Sequence, residues 1–129
     1  MKNKKIKIFL GIIIVLIIGS IITVFSNSSL SGNGGKYDEF ATCLKDKGAV
    51  FYGAFWCSHC NSEKRLFGSS EKLLPYVECS TPDAQDQTQI CKDKKIEGYP
   101  TWIFADGTRL AGETSFATLA EKTSCELPI

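Results

Sequence analysis

Ala49-Val50-Phe51-Tyr52-Gly53-Ala54-Phe55-Trp56-Cys57-Ser58-His59-Cys60 decides the fold. The first seven residues form a continuous apolar and aromatic run of strand length, without the alternation of a half-exposed strand. Such a run reads as a central strand covered on both faces. The residues from Cys57 to about Leu74 read as a helix, with Leu66, Phe67, Leu73 and Leu74 on its buried side and a kink near Gly68-Ser69-Ser70. A pair of cysteines two residues apart therefore sits where a buried strand hands over to a helix. Unpaired N–H groups and the positive end of the helix dipole favour a thiolate at that point. The thiolate is the form that attacks disulfides.

Two intervening residues let both sulfurs meet on one helical turn. Cys57, at the helix start, is expected to be the nucleophile, and Cys60, one turn in, the thiol that resolves the mixed disulfide. Ser58 and His59 are expected to tune the potential. His59 is the only histidine in the chain. A cationic imidazole near the Cys57 thiolate stabilises the reduced pair, which makes the pair a better oxidant. A zinc ribbon needs a second close cysteine pair some way on, whereas Cys79 and Cys91 stand twelve apart, so no metal site is expected.

Outward from this stretch, Tyr37 to Lys47 fits a short amphipathic helix ending at Gly48. Tyr76 to Cys79 reads as a strand, and Ser80-Thr81-Pro82-Asp83 as a loop capping a helix from Ala84 to about Lys94. Gly98-Tyr99-Pro100 turns into a strand over Thr101–Ala105. Asp106-Gly107 marks a two-residue hairpin, with a return strand over Thr108–Ala111. Thr114 can cap a last helix from Ser115 to about Ser124. The order is helix, strand, helix, strand, helix, strand, strand, helix. It predicts an α/β domain with a four-stranded mixed sheet flanked by helices.

Residues 1–25 differ from the rest. Ile8–Phe25 is a run of 18 uncharged, mostly aliphatic residues behind Lys2, Lys4, Lys5 and Lys7. As a helix it covers roughly 27 Å, enough for a thin hydrocarbon core. The lysines predict a cytoplasmic N-terminus and an extracytoplasmic domain. The competing expectation is a cleaved signal, for which Ser26-Asn27-Ser28 offers small residues. Residues 26–36 form a Ser/Gly/Asn-rich linker, leaving 37–129 as the folded domain. Of fifteen Lys and Arg, eleven remain after the four N-terminal lysines, against fourteen Asp and Glu, a net of about −3 that gives no footprint for nucleic acid. Six cysteines in so short an exported chain point to disulfide chemistry in an oxidising compartment.

Ala54-Phe55-Trp56-Cys57-Ser58-His59-Cys60, followed by Gly98-Tyr99-Pro100-Thr101, resembles the thioredoxin superfamily. The resemblance implies a thioredoxin-like fold and a cis-proline loop. Pro100 would then face Cys57, with Trp56, Tyr99 and Pro100 positioning the substrate. The His-Cys ending is similar to protein disulfide isomerases and periplasmic disulfide oxidases. Tyr52-Gly53-Ala54-Phe55-Trp56-Cys57, Leu66-Phe67-Gly68 and Pro75-Tyr76-Val77-Glu78-Cys79 with Cys91 look like the thioredoxin-like domain associated with bacterial and plant vitamin K epoxide reductase homologues. That likeness spans about Tyr37 to Leu127. It implies a thiol–disulfide oxidoreductase of oxidative folding, which the N-terminal anchor would keep near its partner; no cofactor is expected. It would oxidise protein thiols and pass electrons to a quinone-reducing membrane partner of that type. An isomerase or reductase using the same site, and a redox-inert stapled binding module, are the alternatives.

Two departures stand out. The superfamily carries a buried acid in the strand six residues before the first cysteine, where this chain has Phe51. The Gly-rich linker also leaves no room for the usual first edge strand. Cys79 and Cys91 are expected to form a structural staple, or else a second redox relay. Cys43 and Cys125 can pair or stay as buried thiols. The superfamily layout, which sets the first and last helices on opposite faces, speaks against pairing.

Overall fold

The computed structural model describes residue 13 and residues 34–129. The apolar segment 8–25, with the anchor or signal expected there, lies outside the described residues apart from Ile13. Among the described residues no helix is long and apolar enough to cross a membrane.

Helix α1 spans Asp38–Asp46 and buries Phe40, Ala41 and Leu44. Its first turn carries Asp38 and Glu39 and its last turn Lys45, which complements the helix dipole. Strand β1 is Val50–Gly53, and helix α2 is Ser58–Leu66. A 3₁₀ helix over Gly68–Leu73 follows, then β2, Tyr76–Glu78. Helix α3 is Gln89–Asp93, β3 is Thr101–Ile103, β4 is Arg109–Ala111, and α4 is Phe116–Thr123. The expected element order holds. The strands form one sheet in the order β2-β1-β3-β4, parallel between β1 and β2 and antiparallel elsewhere.

Successive side chains of a strand point to opposite faces, and β1 uses both. Phe51 is opposite Tyr76 on β2 and Trp102 on β3. Its ring stacks on Trp102 at 4.9 Å and meets Tyr76 edge-on at 5.6 Å. This face carries the main core, with Phe40 and Leu44 of α1, Cys60 and Phe67, and Leu119 of α4. Tyr52 points the other way, into a smaller core with Cys79, Cys91 and Ile96.

Four local expectations are corrected. The helix expected from Ala84 begins only at Gln89. Ala84 has φ +57°, outside the right-handed helical region, and the side chains of Thr81 and Asp83 bond the loop backbone instead. The helix after Cys57 is broken rather than kinked, because Gly68, the first residue of the 3₁₀ helix, takes φ +56°. Leu66 is exposed, and the buried row of α2 runs Cys60, Glu63, then Phe67 just beyond its end. Ser115, not Thr114, caps α4 by accepting the Thr118 N–H at 3.1 Å.

The first and last helices pack on the same core rather than on opposite faces. Tyr37 and Phe40 meet Phe116 with ring centroids 4.8 and 5.4 Å apart, and Phe67 closes the group. That aromatic cluster brings Cys43 and Cys125 together as a disulfide. Cys79 and Cys91 form the second one.

Candidate active site

Cys57 and Cys60 are the two free cysteines among the described residues. Cys57 is the N-cap of α2. Its Sγ accepts the Cys60 backbone N–H at 3.2 Å, as a capping side chain does. One of the helix's unpaired donors is thus aimed at the Cys57 sulfur. Cys60 is fully enclosed. Burial, and then the contact with Cys57, push its thiol up to about 12. The two sulfurs are therefore unlike: one caps a helix at the rim of the core, and the other stays a protonated thiol beneath it.

Gly53 makes this packing possible. A Cβ at that position would stand 3.0 Å from the Cys60 sulfur and 2.9 Å from the Tyr76 ring.

Trp56 and Tyr99 precede Cys57 and Pro100, and their rings meet edge-on at 5.8 Å. This contact joins the dithiol loop to the proline loop. Trp56 is half exposed and donates its Nε1–H to Ser80 Oγ at 2.9 Å. The Tyr99 hydroxyl accepts from Gln87 Nε2 at 2.7 Å. The Tyr99–Pro100 peptide is cis, as the family pattern implied, and Pro100 is fully buried. Its carbonyl accepts the Gly112 N–H at 2.8 Å.

Ser58 and His59 are exposed. His59 turns to the loop before α4, where its Nδ1 lies 2.6 Å from Glu113 Oε1. Cys79 and Cys91 are enclosed in the smaller core. Glu78 fastens the Cys79 segment to the dithiol loop. It accepts the Phe55 and Ser80 amides at 3.2 and 2.8 Å and the Tyr76 hydroxyl at 2.7 Å. This arrangement raises the Tyr76 hydroxyl above its ordinary range, by burial first and then by Glu78.

A thioredoxin family pattern matches residues 33–124. The chain belongs to the thioredoxin family. It is 41% identical over 114 residues to thiol-disulfide oxidoreductase LTO1 of Arabidopsis thaliana, covering 84% of this chain and 30% of that protein. It is 32% identical over 71 residues to a protein disulfide-isomerase of Aspergillus oryzae, covering 50% of this chain and 13% of that protein. The chain thus spans less than a third of either relative.

One buried group escaped the sequence reading. Glu63 is fully enclosed and its Oε1 accepts the Trp102 indole N–H at 2.7 Å. Burial raises its carboxyl to about 7, against the pull of the Trp102 donor and of the nearby Thr114 amide. That amide does not make a well-formed bond, and Oε2 has no hydrogen-bond partner. The signal was in the spacing. With Cys60 and Phe67 both inward, helical geometry carries position 63 inward as well.

Proposed function

We propose that this chain is an extracytoplasmic thiol–disulfide oxidoreductase of the oxidase type, with Cys57 and Cys60 as its working dithiol. A substrate thiolate attacks Cys57 of the Cys57–Cys60 disulfide, and Cys60 departs with the bonding electrons. A second substrate thiolate then attacks the Cys57–substrate bond. The substrate leaves as a disulfide, and the two electrons remain on Cys57 and Cys60 as thiols. Trp56 and Tyr99, in contact across the site, line the approach. The main chain at Tyr99-Pro100 presents backbone to the bound segment.

The observation that carries this reading is the asymmetry of the pair, a helix-capping Cys57 over an enclosed, protonated Cys60. The names of the two relatives support thiol–disulfide chemistry. The oxidising direction rests on His59. The tether rests on the apolar segment 8–25 behind its lysines. The electron-accepting partner, a membrane quinone reductase of the vitamin K epoxide reductase type, rests on the resemblance of residues 52–91 to domains associated with that enzyme.

Cys60→Ser in the full chain tests the reading. It should hold substrates as mixed disulfides at Cys57, with the membrane reductase among the captured proteins by mass spectrometry. Capture of nothing would refute the dithiol mechanism. A potential of about −120 to −200 mV fits an oxidase, whereas one near about −270 mV would assign the reducing direction. The likeness to a protein disulfide-isomerase favours isomerisation as the second reading. Isomerisation predicts rescue of scrambled substrate by the reduced chain alone.

A further inference from the structure

A buried thiol that opens and closes a disulfide must lose and regain a proton. Cys60 has no exposed surface through which to do so. The strand position that carries an acid in the superfamily is filled by Phe51, sandwiched between Tyr76 and Trp102. The groups around Cys60 are few. Cys57 is the reacting partner. Lys64 lies over the Tyr76 ring at 3.3 Å, and Tyr76 already donates to Glu78. Tyr76 is also held in its neutral form.

Glu63 remains. It lies three residues after Cys60 on α2, in the row that faces the core, where such neighbours have Cβ atoms about 5–6 Å apart. It is as enclosed as Cys60 itself. One oxygen is fixed by Trp102, the residue stacked on Phe51, and the other has no partner. An unpaired buried carboxyl oxygen is costly unless it serves something.

We propose that Glu63 is the proton acceptor and donor for Cys60, performing from the helix the task that Phe51 cannot perform from the strand. When the disulfide closes, the Cys60 proton passes to the Glu63 carboxylate. The Cys60 sulfur bonds to Cys57, the Cys57–substrate bond breaks, and the substrate leaves as a thiolate with the electron pair. When the disulfide opens, Cys60 departs as a thiolate and takes the proton back from the Glu63 carboxylic acid. A carboxyl that titrates near neutrality suits both directions. The groups facing it are Trp102 from β3, which is neutral, and Thr114 and Glu113 from the loop before α4, while Cys60 stands one turn earlier in the same inward row of its own helix. The Glu113 charge helps to keep its proton on.

The inference rests on the dithiol reading, and the test separates the two. The reduced full chain is mixed with oxidised glutathione, quenched with acid at intervals, and weighed. The glutathione adduct and the closed disulfide differ in mass, so each step is timed. In the wild type, closure should accelerate as pH rises through about 7. Glu63→Gln keeps the acceptor for Trp102 but cannot take a proton. Its closure should lose that inflection and fall on the order of 10²-fold behind at pH 8, with the gap shrinking below pH 6. Adduct formation should stay within twofold. Glu63→Asp should retain an inflection. Unchanged closure in Glu63→Gln, or an equal loss at every pH, overturns the role of Glu63. Failure of the wild type to form adduct and disulfide overturns the dithiol reading and this inference with it.

Discussion

Glu63 and Trp102, thirty-nine residues apart in sequence, meet at 2.7 Å in a core that exposes neither side chain. The carboxyl is raised from 4.5 to about 7 by burial, so the folded chain holds this proton more tightly than the unfolded chain does. Protonation therefore favours the fold. The contribution is complete below about pH 4.5 and is lost as pH rises through about 7. Glu63→Gln should stabilise the protein at pH 8 by on the order of 2–3 kcal/mol and leave it nearly unchanged at pH 4.5. Urea unfolding at the two pH values measures the difference. Equal stability shifts at both would show that ionisation of Glu63 is not what burial opposes.

The two disulfides close loops of very different length, with sequence separations of 82 for Cys43–Cys125 and 12 for Cys79–Cys91. In the chain-entropy account the longer loop restricts the unfolded chain more, by about 4.5 against about 3 kcal/mol. The double variant Cys43→Ala/Cys125→Ala should therefore unfold at lower denaturant than Cys79→Ala/Cys91→Ala. The same comparison bears on a relay at Cys79–Cys91. Loss of glutathione-driven turnover in the Cys79→Ala/Cys91→Ala chain, with stability little changed, would count against a purely structural staple.

His59 and Glu113 lie 2.6 Å apart, but both are largely exposed, at 70% and 48% of their side-chain surface. An ion pair in such surroundings contributes at most about 1 kcal/mol and is screened by salt. Its effect should appear in the dithiol equilibrium instead. His59 stands between Cys57 and Cys60 in sequence, and positive charge near the pair favours its reduced form, so His59→Ala should make the dithiol more reducing, by roughly 30 mV or more, with little change in stability. Equilibration against glutathione buffers gives the potential. A shift in the opposite direction would remove His59 as the source of oxidising character.

The strand-to-helix dithiol, the hairpin and the order of elements were legible because each depends on local pattern: an apolar run, a capped helix start, an Asp-Gly turn. The turn itself is one residue longer than the expected two, because Phe104 bonds to Thr108 and Gly107 takes φ +80° between them. What was not legible depends on contacts distant in sequence. The pairing of Cys43 with Cys125 follows from the Tyr37, Phe40, Phe67 and Phe116 cluster, which no local period reveals. The loop before α3 is set by Ala84 in a left-handed conformation and by side-chain bonds from Thr81 and Asp83. The strand position six residues before Cys57 holds Phe51, and a pattern confined to β1 carries no sign of Glu63. The one buried carboxyl among the described residues, Glu63, lies on α2 and is tied to the sheet through Trp102.

Phe51 also shows why the superfamily's acid cannot simply be restored here. Its ring lies between Tyr76 and Trp102 and has no exposed surface. Phe51→Asp would remove both stacking contacts and bury a second carboxyl close to Glu63 with no donor. Loss of a buried aromatic alone costs about 3–5 kcal/mol, and the unpaired polar group adds to it. The variant should be grossly destabilised, whatever its redox behaviour.

Gly53 offers a milder probe of the same spot. A methyl group there would press on the Cys60 sulfur at 3.0 Å and on the Tyr76 ring at 2.9 Å, both tighter than ordinary contacts. Gly53 lies at the end of β1 with Glu78 of β2 opposite, so the backbone cannot withdraw without breaking that ladder. The strain falls on the Cys60 sulfur and the Tyr76 ring, and a Cys60 side chain that yields turns its sulfur from Cys57. Gly53→Ala should destabilise the chain by about 1–3 kcal/mol and slow disulfide closure at every pH, without moving the inflection assigned to Glu63. That uniform loss is the signature of displaced geometry, and it contrasts with the pH-dependent loss expected of Glu63→Gln. Closure rates equal to wild type in Gly53→Ala would show that the Cys60 sulfur has room to yield, and that the close approach of β1 is a matter of packing alone.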